Sequence, residues 1–378
     1  MISNTRKIAV VIPKYGMIGG AERFAYELTE RLSLNKKYDF HVFANKWQSD
    51  SDRITFHKVP IIRFPRFLAT ISFAWFANRK ISKMNFDLVH THDRIFNADI
   101  FTMHGIPHRI WVHEVRKKSM SLFDRATCWV EKCLVNNARC NRFLPVSSLT
   151  EEKFLQEYKI EPEKIQVIHP GVDIERFQRF DRKRCRKEIR EQFKIDPSDI
   201  VILFVSMNFE IKGLDCVMAT VGKAKASYPS QNIKLIVIGK GHCKKYGTLA
   251  QKIGITDNVI FAGVQTESLE KIYMASDIFM ILSRFDTFGM TVLEAMAASL
   301  PVIISSNVGA KDLVRHGING FIIEDTNNIN MICDSIGSML KSKTGNAMAK
   351  EAYNTALHNR WNAVTKRIED IYEKILQI

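Results

Sequence analysis

Two hydrophobic patterns alternate along this chain: short unbroken runs of apolar residues, and longer segments in which apolar positions return every three or four residues. Unbroken runs predict strands of a parallel sheet, because such strands are covered on both faces. The predicted strands are 7–12, 40–44, 87–90, 98–103 and 141–146 in the first half, and 200–206, 234–239, 258–261, 278–282, 301–305 and 320–323 in the second. Strands that alternate with helices indicate an α/β fold.

Helical periodicity fills most of the gaps between these strands. The predicted helices are 21–34, 151–158, 213–226, 269–275, 291–298 and 361–376. Residues 176–200 are charged and poor in large apolar side chains, which predicts a domain junction that carries a basic helix. The expected architecture is two doubly wound, Rossmann-like domains with a cleft between them. Ligands in such sheets bind beyond the carboxyl ends of the strands.

The composition agrees with this architecture. A chain of 378 residues exceeds one ordinary hydrophobic core, and 46% hydrophobic with 25% charged residues is typical of a folded soluble protein. Residues 1–7 lead directly into the first strand, which predicts no signal peptide, and the longest uncharged apolar run, 67–78, is about half a membrane span. The seven cysteines lack the spacing of disulfide or zinc frameworks, so we expect reduced thiols in a cytoplasmic protein.

Positive charge is concentrated in one part of the chain. The net charge is +15, and residues 53–118 contain twelve Lys and Arg against four acidic residues. Segment 63–80 carries apolar and aromatic residues at helical spacing beside basic ones, and segment 109–130 combines the same residue types. These segments predict either a surface that lies on an anionic membrane or a core-facing stripe with a solvated basic edge. No nucleic-acid-binding motif is visible, so no nucleic-acid partner is expected.

The segment after one predicted strand contains two carboxylates, Asp286 and Glu294, separated by a Phe-Gly corner. This corner directs the start of helix 291–298 toward the carboxyl edge of a sheet, where its unpaired N–H groups suit a phosphate. Lys212 follows another strand and precedes Gly213, so its ammonium group can add a positive charge. Each feature also has a structural alternative, in which the glycine makes a turn and the charged side chain is solvated.

Further candidates lie in the first half of the chain. Gly19 and Gly20 precede a predicted helix and form either a phosphate-binding loop or a tight turn. His104 directly follows a predicted strand and is either a substrate contact or a hydrogen-bonded structural residue. Three residues at another strand end have the composition of a metal cluster, but we expect a structural role for them and no metal: His90, His92 and Asp93.

Five short segments, 19–23, 170–173, 212–213, 286–294 and 317–320, together resemble glycosyltransferase family 4, and they follow the order of the family over nearly the whole chain. The resemblance implies the GT-B fold, with an acceptor-binding domain at 1–175 and a sugar-nucleotide-binding domain at 176–356. A C-terminal helix, 357–378, is then expected to return to the first domain. Within the family, the chain is most similar to the lipopolysaccharide core glucosyltransferase I type in length and in segments 206–213 and 109–130.

The same resemblance implies roles for individual residues. Glu294 is expected to bind the ribose hydroxyls, Asp286 to contact the donor sugar and His104 to lie near that sugar. Lys212 and Gly20 are expected to hold the diphosphate, with help from the backbone of Gly19, Phe288, Gly289 and Met290. The implied reaction needs no metal and no cofactor, and it retains the anomeric configuration through attack on the front face of the sugar.

The expected function is transfer of a hexose from a nucleotide-diphosphate sugar, expected to be a UDP-sugar, to a glycan or glycolipid acceptor. By resemblance, the acceptor is lipopolysaccharide core at the inner face of the cytoplasmic membrane. The alternatives are a GT-B sugar-nucleotide epimerase and a nucleotide-binding protein that has lost activity. Two positions depart from the family pattern: Asp286 replaces its usual Glu, and segment 206–212 lacks an Arg, which leaves Arg284 and Lys311 as alternative cations.

Overall fold

A computed structural model describes residues 5–17 and 19–377 of the chain. Residues 1–4, Ile18 and Ile378 lie outside the described residues. The predictions that fall on them concern the signal peptide, the glycine loop before the first helix and the end of the last helix. Within the described ranges, no helix is both long enough and apolar enough to cross a membrane.

The described residues form two compact units. The first unit runs to Gly171 and resumes at Trp361, whereas the second is continuous from Val172 to Arg360. Each unit contains one six-stranded sheet, and every pair of neighbouring strands in these two sheets is parallel. The functional residues predicted from the sequence are therefore distributed over two separate sheets.

The first sheet is built from the predicted apolar runs and one further strand. Its strands and those of a small two-stranded ladder are β1 (Arg6–Val11), β2 (Lys14–Tyr15), β3 (Tyr38–Ala44), β4 (Lys46–Trp47), β5 (Ile54–Lys58), β6 (Leu88–Thr91), β7 (Ile100–Met103) and β8 (Arg142–Pro145). The sheet has the order β5-β3-β1-β6-β7-β8, and β2 pairs with β4. All residues of β6 and β7 are buried, as expected for central strands covered on both faces.

Helices cover this sheet. They are α1 (Gly20–Leu32), α2 (Leu68–Ile81), α3 (His108–Ile110), α4 (Leu122–Val135) and α5 (Ser148–Glu157). The helices α2 and α4 contribute Phe73, Ala74, Val130 and Leu134 to a core that also contains Phe101 and Phe143 of the sheet. This packing holds the strand ends that carry the candidate histidines in place.

The second unit has the same plan. Its strands are β9 (Ile200–Ser206), β10 (Ile233–Gly239), β11 (Val259–Gly263), β12 (Ile278–Ile281), β13 (Val302–Ser305) and β14 (Gly320–Ile323), in the order β11-β10-β9-β12-β13-β14. Its helices are α6 (Glu175–Gln178), α7 (Arg182–Gln192), α8 (Leu214–Ser227), α9 (Cys243–Lys252), α10 (Leu269–Ala275), α11 (Met290–Ala297), α12 (Ile329–Leu340) and α13 (Ser342–His358). The central strands β9 and β12 are neighbours, so the loops that follow them begin side by side.

The last helix, α14 (Trp361–Leu376), belongs to the first unit. Its buried residues recur at helical spacing: Trp361, Val364, Ile368, Ile371 and Tyr372. The ring of Trp361 packs edge-on against Phe24 of α1, with ring centroids 5.4 Å apart. Trp361 also lies close to the backbone of Gly171. A Cβ at that position would lie 2.7 Å from atoms of Trp361, so a glycine is needed there.

The basic segments differ from regular amphipathic helices. Segment 109–130 is broken, because α3 continues as one π-helical turn, Trp111–Val115, and a new helix starts after Ser121. The Ser121 hydroxyl accepts from the Asp124 N–H, and the Asp124 carboxylate accepts from the Ser121 N–H, which forms a capping box. In the other segment α2 begins only at Leu68, so Phe64 precedes the helix.

Candidate functional site

The loops after β9 and β12 bring Lys212 and Asp286 together at the carboxyl edge of the second sheet. The ammonium group of Lys212 forms an ion pair with one carboxylate oxygen of Asp286. The two side chains are 22% and 14% exposed, so the pair is shielded from water but open to a ligand. The sequence analysis expects Lys212 to hold the diphosphate and Asp286 to contact the donor sugar, and in the structure these two side chains are in contact.

Gly213 determines the path of the chain after Lys212. Its φ is +72°, and a Cβ there would lie 2.0 Å from the carbonyl oxygen of Leu282. The two loops are also joined by a hydrogen bond of 2.8 Å from the Arg284 N–H to the Ile211 carbonyl. Because only glycine tolerates both the positive φ and the close approach, backbone geometry holds Lys212 beside the acidic loop.

The loop after β13 fixes the position of Asp286. The Asp286 N–H donates to the Asn307 carbonyl, and the Gly309 N–H donates to the Asp286 carbonyl, both at 2.9 Å. Phe288 is 3% exposed, and its carbonyl accepts from the Ala310 N–H at 2.6 Å. The backbone on both sides of the carboxylate is thus tied to a neighbouring loop, which makes the site rigid.

Helix α11 starts at this point without a side-chain cap. Its N-cap residue Gly289 has φ +91° and no side chain, and the first turn contains no acidic residue. A Cβ at Gly289 would lie 3.2 Å from a carboxylate oxygen of Asp286, so that carboxylate lies directly beside the helix start. The N–H groups at the start of α11 and the Lys212 ammonium together form a site suited to an anion.

Glu294 lies farther along α11 and is held by a buried tyrosine. The hydroxyl of Tyr273, on α10, donates to a Glu294 carboxylate oxygen at 3.1 Å. Burial and the Glu294 charge raise the pKa of Tyr273 well above its ordinary value, so the phenol stays protonated. Burial lowers the pKa of Arg176, but Glu270 and Glu294 outweigh it and the net shift is upward. Glu294 is therefore an oriented carboxylate in the field of a guanidinium group.

The glycine loop of the first unit carries a carboxylate of its own. Gly19 and Gly20 are exposed, and α1 begins at Gly20 without a side-chain cap. A Cβ at Gly19 would lie 2.0 Å from a carboxylate oxygen of Glu22, so that acid lies against the loop. A phosphate at this loop would have to displace Glu22, since the two negative groups would repel each other. Glu22 lies within segment 19–23, but the sequence prediction gave this carboxylate no role.

His104 follows β7 and belongs to a row of histidines. Its Nε2 lies 3.0 Å from His92 Nδ1, and the ring of Phe24 packs edge-on against it with centroids 5.0 Å apart. The rings of His92 and His90 are stacked with centroids 4.4 Å apart. Burial lowers the pKa of His104 and of His90 to about 3, so both rings are neutral near pH 7.

The residues named as a metal cluster have other partners. Both ring nitrogens of His90 are used, Nδ1 with the Tyr372 hydroxyl and Nε2 with the Thr102 hydroxyl, each at 2.7 Å. Asp93 accepts from the Arg94 N–H at 2.6 Å. In the described ranges no three His, Cys, Asp or Glu side chains are arranged to hold a metal ion.

Helices α2 and α4 form a basic-aromatic surface on the first unit. The helices are joined by a hydrogen bond of 3.1 Å between Thr70 and Thr127. Four large apolar side chains on or beside these helices are exposed: Phe64 (89%), Trp75 (46%), Leu122 (70%) and Trp129 (52%). Arginines lie over aromatic rings of these two helices, Arg79 over Trp75 of α2 and Arg66 over Phe123 of α4. We call the four exposed side chains with Arg66 and Arg79 the basic-aromatic surface.

A cavity of about 780 Å³ lies beside this surface. Its lining includes Trp75, Val89 and Asn97. Asn97 precedes β7 and Val89 lies near the start of β6, so the cavity opens at the amino edge of the sheet, whereas His104 lies at the carboxyl edge. The cavity is therefore distinct from the predicted sugar-nucleotide site.

Several residues of the site carry no recognisable sequence signal. Tyr273 and Arg176 act on Glu294, and Glu270 pairs with Arg176, but all three lie on helices outside the segments of the family resemblance. His92 could be found in the sequence only as a possible metal ligand, although its ring contacts His104. His92 follows β6 and His104 follows β7, and these two strands are neighbours in the sheet. The order of strands in a sheet cannot be read from the hydrophobic pattern of the sequence.

Two family models match the chain in succession. A Glycosyltransferase Family 4 model matches residues 18–176, and a model of Glycosyl transferases group 1 matches residues 185–355. Among solved structures, that of WaaG, a glycosyltransferase involved in lipopolysaccharide biosynthesis, has a TM-score of 0.79 at 18% identity, covering 96% of this chain and 99% of the other. The chain is a glycosyltransferase with the GT-B fold. The predicted fold of two Rossmann-like domains is confirmed.

Other relatives of this glycosyltransferase differ in length. An uncharacterized glycosyltransferase of Methanocaldococcus jannaschii is 24% identical over an alignment of 346 residues, and the match covers 85% of this chain and 86% of that protein. The D-inositol 3-phosphate glycosyltransferase of Segniliparus rotundus is 27% identical over 193 residues, so the match spans half of this chain and 42% of that enzyme. The structure of HepE of Anabaena in complex with UDP has a TM-score of 0.73 at 14% identity, covering 98% of this chain and 100% of the other.

Proposed function

We propose that this glycosyltransferase is a retaining hexosyltransferase that uses a UDP-sugar as donor and a glycolipid of the lipopolysaccharide core class as acceptor. The observation that carries the proposal is the Lys212–Asp286 ion pair at the uncapped start of α11. UDP and UDP-glucose are bound in structures of HepE of Anabaena, which has the same fold, and this supports a uridine nucleotide. The likeness to WaaG, a glycosyltransferase involved in lipopolysaccharide biosynthesis, supports the acceptor class.

The donor diphosphate exchanges partners with the ion pair. Its negative charges attract the Lys212 ammonium away from Asp286, and the N–H groups at the start of α11 donate to the phosphate oxygens. The Asp286 carboxylate is then released to accept a hydrogen bond from a hydroxyl of the donor sugar. Glu294, oriented by Tyr273, accepts hydrogen bonds from the ribose hydroxyls.

The transfer step needs no protein nucleophile. The bond from the anomeric carbon to the UDP oxygen breaks, and its electron pair leaves with UDP. The acceptor hydroxyl forms its bond to the anomeric carbon on the face that UDP leaves, and its proton passes to the departing phosphate oxygen. The Lys212 charge and the helix start stabilise the growing charge on the leaving group, which is where electrostatic catalysis has its largest effect.

The enzyme is proposed to work at the inner face of the cytoplasmic membrane. The basic-aromatic surface combines exposed aromatic rings with guanidinium groups, which suits an interface of acyl chains and anionic headgroups. A glycolipid acceptor would be concentrated at such an interface. Ile71, in contrast, packs against the core, so part of segment 63–80 has the structural role that the sequence left open.

Release of UDP tests the proposal. The protein is incubated with membrane extract and a panel of UDP- and GDP-sugars, and Lys212→Ala is compared with Lys311→Ala, a lysine in the loop after β13. We expect Lys212→Ala to lower kcat/KM about 10²–10³-fold, because one positioned charge on the leaving group is lost, and Lys311→Ala to have little effect.

The alternative outcomes of this assay are distinct. Nucleotide binding without UDP or GDP release from any donor would contradict the transferase. Interconversion of sugar nucleotides without an acceptor would indicate an epimerase. A large loss in Lys311→Ala with none in Lys212→Ala would show that the cation had been assigned to the wrong residue.

A further inference from the structure

A row of buried polar side chains leads from the last helix to His104. It begins at the Tyr372 hydroxyl, passes through His90, whose ring stacks on His92, and ends at the contact of His92 Nδ1 with His104 Nε2. Tyr372 and His90 are completely buried, and His92 is 4% exposed. His104, at the end of the row, is partly exposed.

The two nitrogens in contact can share their proton in two ways. In the first, His92 Nδ1–H donates to His104 Nε2, and His104 carries its own proton on Nδ1. In the second, His104 Nε2–H donates to His92 Nδ1, and His104 Nδ1 is a bare acceptor. A charged ring is excluded near neutral pH, because burial lowers the pKa of His104 to about 3 and that of His92 well below its usual value.

The other nitrogen of His92 decides between these arrangements. His92 Nε2 is buried and has no hydrogen-bond partner among the described residues. In the second arrangement this nitrogen would carry a buried N–H without an acceptor, which is among the rarest defects in folded proteins. In the first arrangement it is a bare lone pair in an aromatic environment, since the ring centroids of His92 and Phe24 lie 5.8 Å apart, and this is the less costly state.

We propose that His92 is a positioning residue that fixes the tautomer of His104, so that His104 presents Nδ1–H as a hydrogen-bond donor to the substrate. The structure gives His104 Nδ1 no partner within the described part of the chain, so this N–H is available to a ligand. The consequence for the substrate rests on the proposed function: the N–H donates to an oxygen of the donor sugar, and His104 takes up no proton during transfer.

The tautomers are measured in the full-length protein without substrate, by ¹⁵N NMR after labelling with ¹⁵N-histidine and assignment with a His104→Ala variant. We expect Nδ1 of His104 to be the protonated nitrogen and Nε2 the unprotonated one, unchanged from about pH 6 to about pH 9. In His92→Phe the directing N–H is absent, and we expect His104 to populate the Nε2–H form. In His92→Asn the side-chain amide N–H takes the place of Nδ1–H and should restore the original tautomer.

Two results would overturn the inference: a wild-type His104 protonated on Nε2, or a His104 tautomer that is the same in His92→Phe as in the wild type. The wild-type and His92→Asn spectra test it even when His92→Phe does not fold. A purely structural role for His92 would change stability without changing which nitrogen of His104 is protonated.

Kinetics separates this inference from the proposed function. With a donor that supports transfer, His92→Phe should lower kcat about tenfold with little change in KM for the acceptor, the equivalent of one lost hydrogen bond, and His92→Asn should recover most of it. No turnover with any donor, together with the expected spectra, would refute the proposed function and leave the role of His92 intact. An unchanged kcat in His92→Phe would contradict the proposal that the His104 tautomer affects transfer through a hydrogen bond to the donor sugar.

Discussion

Lys212 and Asp286 neutralise each other before any substrate is bound. Their ion pair keeps an ammonium group and a carboxylate together in a partly shielded loop, where either charge alone would be costly. In the proposed function, the donor diphosphate replaces Asp286 as the anion paired with Lys212, whose ammonium group is already partly desolvated in the ion pair. Asp286 is one methylene shorter than the Glu usual in the resembling family, and in this chain that shorter side chain reaches Lys212.

Tyr273 is the residue whose removal should change donor affinity most selectively. Replacement by Phe deletes the hydrogen bond to Glu294 and keeps the packing of the ring. The carboxylate then loses its fixed orientation. If Glu294 binds the ribose as proposed, KM for the nucleotide sugar should rise about tenfold with kcat changed less. Steady-state kinetics measures both constants.

Tyr246→Phe is the matched control for Tyr273→Phe. Tyr246 is also buried in the second unit, on α9, and its ring packs against Phe209. The same rise in KM in both variants would show that loss of a buried hydroxyl, and not orientation of Glu294, is responsible.

At the scale of elements, α14 is attached to the first sheet by a polar bond as well as by its apolar face. The Tyr372 hydroxyl meets His90 on β6 inside the core. Tyr372→Phe leaves a ring nitrogen of His90 buried without a partner, and we expect the first unit to lose about 1–3 kcal/mol of unfolding free energy. Urea unfolding followed by hydrogen exchange of β6 and α14 amides measures the loss.

The control for Tyr372→Phe is Tyr353→Phe in the second unit. Tyr353 also forms a hydrogen bond through its hydroxyl, to Gln178 at 3.0 Å, but at an exposed site where water replaces the lost partner. An equal loss in the two variants would contradict the importance of burial at His90.

The buried histidines give the first unit an acid-sensitive stability. Burial lowers the pKa of His90 and His104 from 6.5 to about 3, so below about pH 6.5 the unfolded chain binds more protons than the folded one. The contribution of these neutral histidines to the free energy of unfolding is therefore fully present above pH 6.5. It decreases as the pH falls toward 3, by up to roughly 1.4 kcal/mol per pH unit for each histidine. Hydrogen exchange of β6 and β7 at a series of pH values measures this dependence.

Exchange rates need correction for the intrinsic effect of pH, and a strand of the second unit, β10, provides the internal reference. A protection free energy for β6 that is constant between about pH 7 and about pH 5 would contradict neutral buried histidines. His316→Gln in the second unit should leave the pH dependence of β6 unchanged.

The strands could be predicted from the sequence more reliably than the helix boundaries and the contacts between side chains. Residues 200–206 and 301–305 can be recognised as strands because a strand buried on both faces needs an unbroken apolar run. The start of α4 depends on a local cap at Ser121, and the contact of Tyr273 with Glu294 depends on how two helices pack. Features that depend on consecutive residues can be predicted from the sequence. Contacts between distant segments depend on how the strands and helices are arranged in the fold, which the hydrophobic pattern does not show.

At the scale of the whole molecule, the basic-aromatic surface should decide where the enzyme works. We expect Trp75→Ser with Trp129→Ser to weaken binding to vesicles that contain anionic phospholipid about tenfold or more, because two exposed rings no longer enter the interface. Vesicle co-sedimentation measures binding, and added salt should weaken it further by screening the arginines.

Trp47→Ser is the control for the membrane prediction. Trp47 is 38% exposed on β4 and stacks on Phe56, so it matches the other tryptophans in exposure but lies outside the basic-aromatic surface. Equal loss of binding in Trp47→Ser, or binding that is insensitive to salt, would contradict a specific membrane surface.

The first unit is formed by two separate parts of the chain, and this affects how it folds during synthesis on the ribosome. Because its core includes α14, the first unit lacks the side chains of Trp361 and Tyr372 until the whole second unit has been translated. The second unit is continuous, so it can complete its fold while the first still exposes the apolar faces that α14 will cover. The first part of the enzyme to emerge is therefore the last to complete its fold.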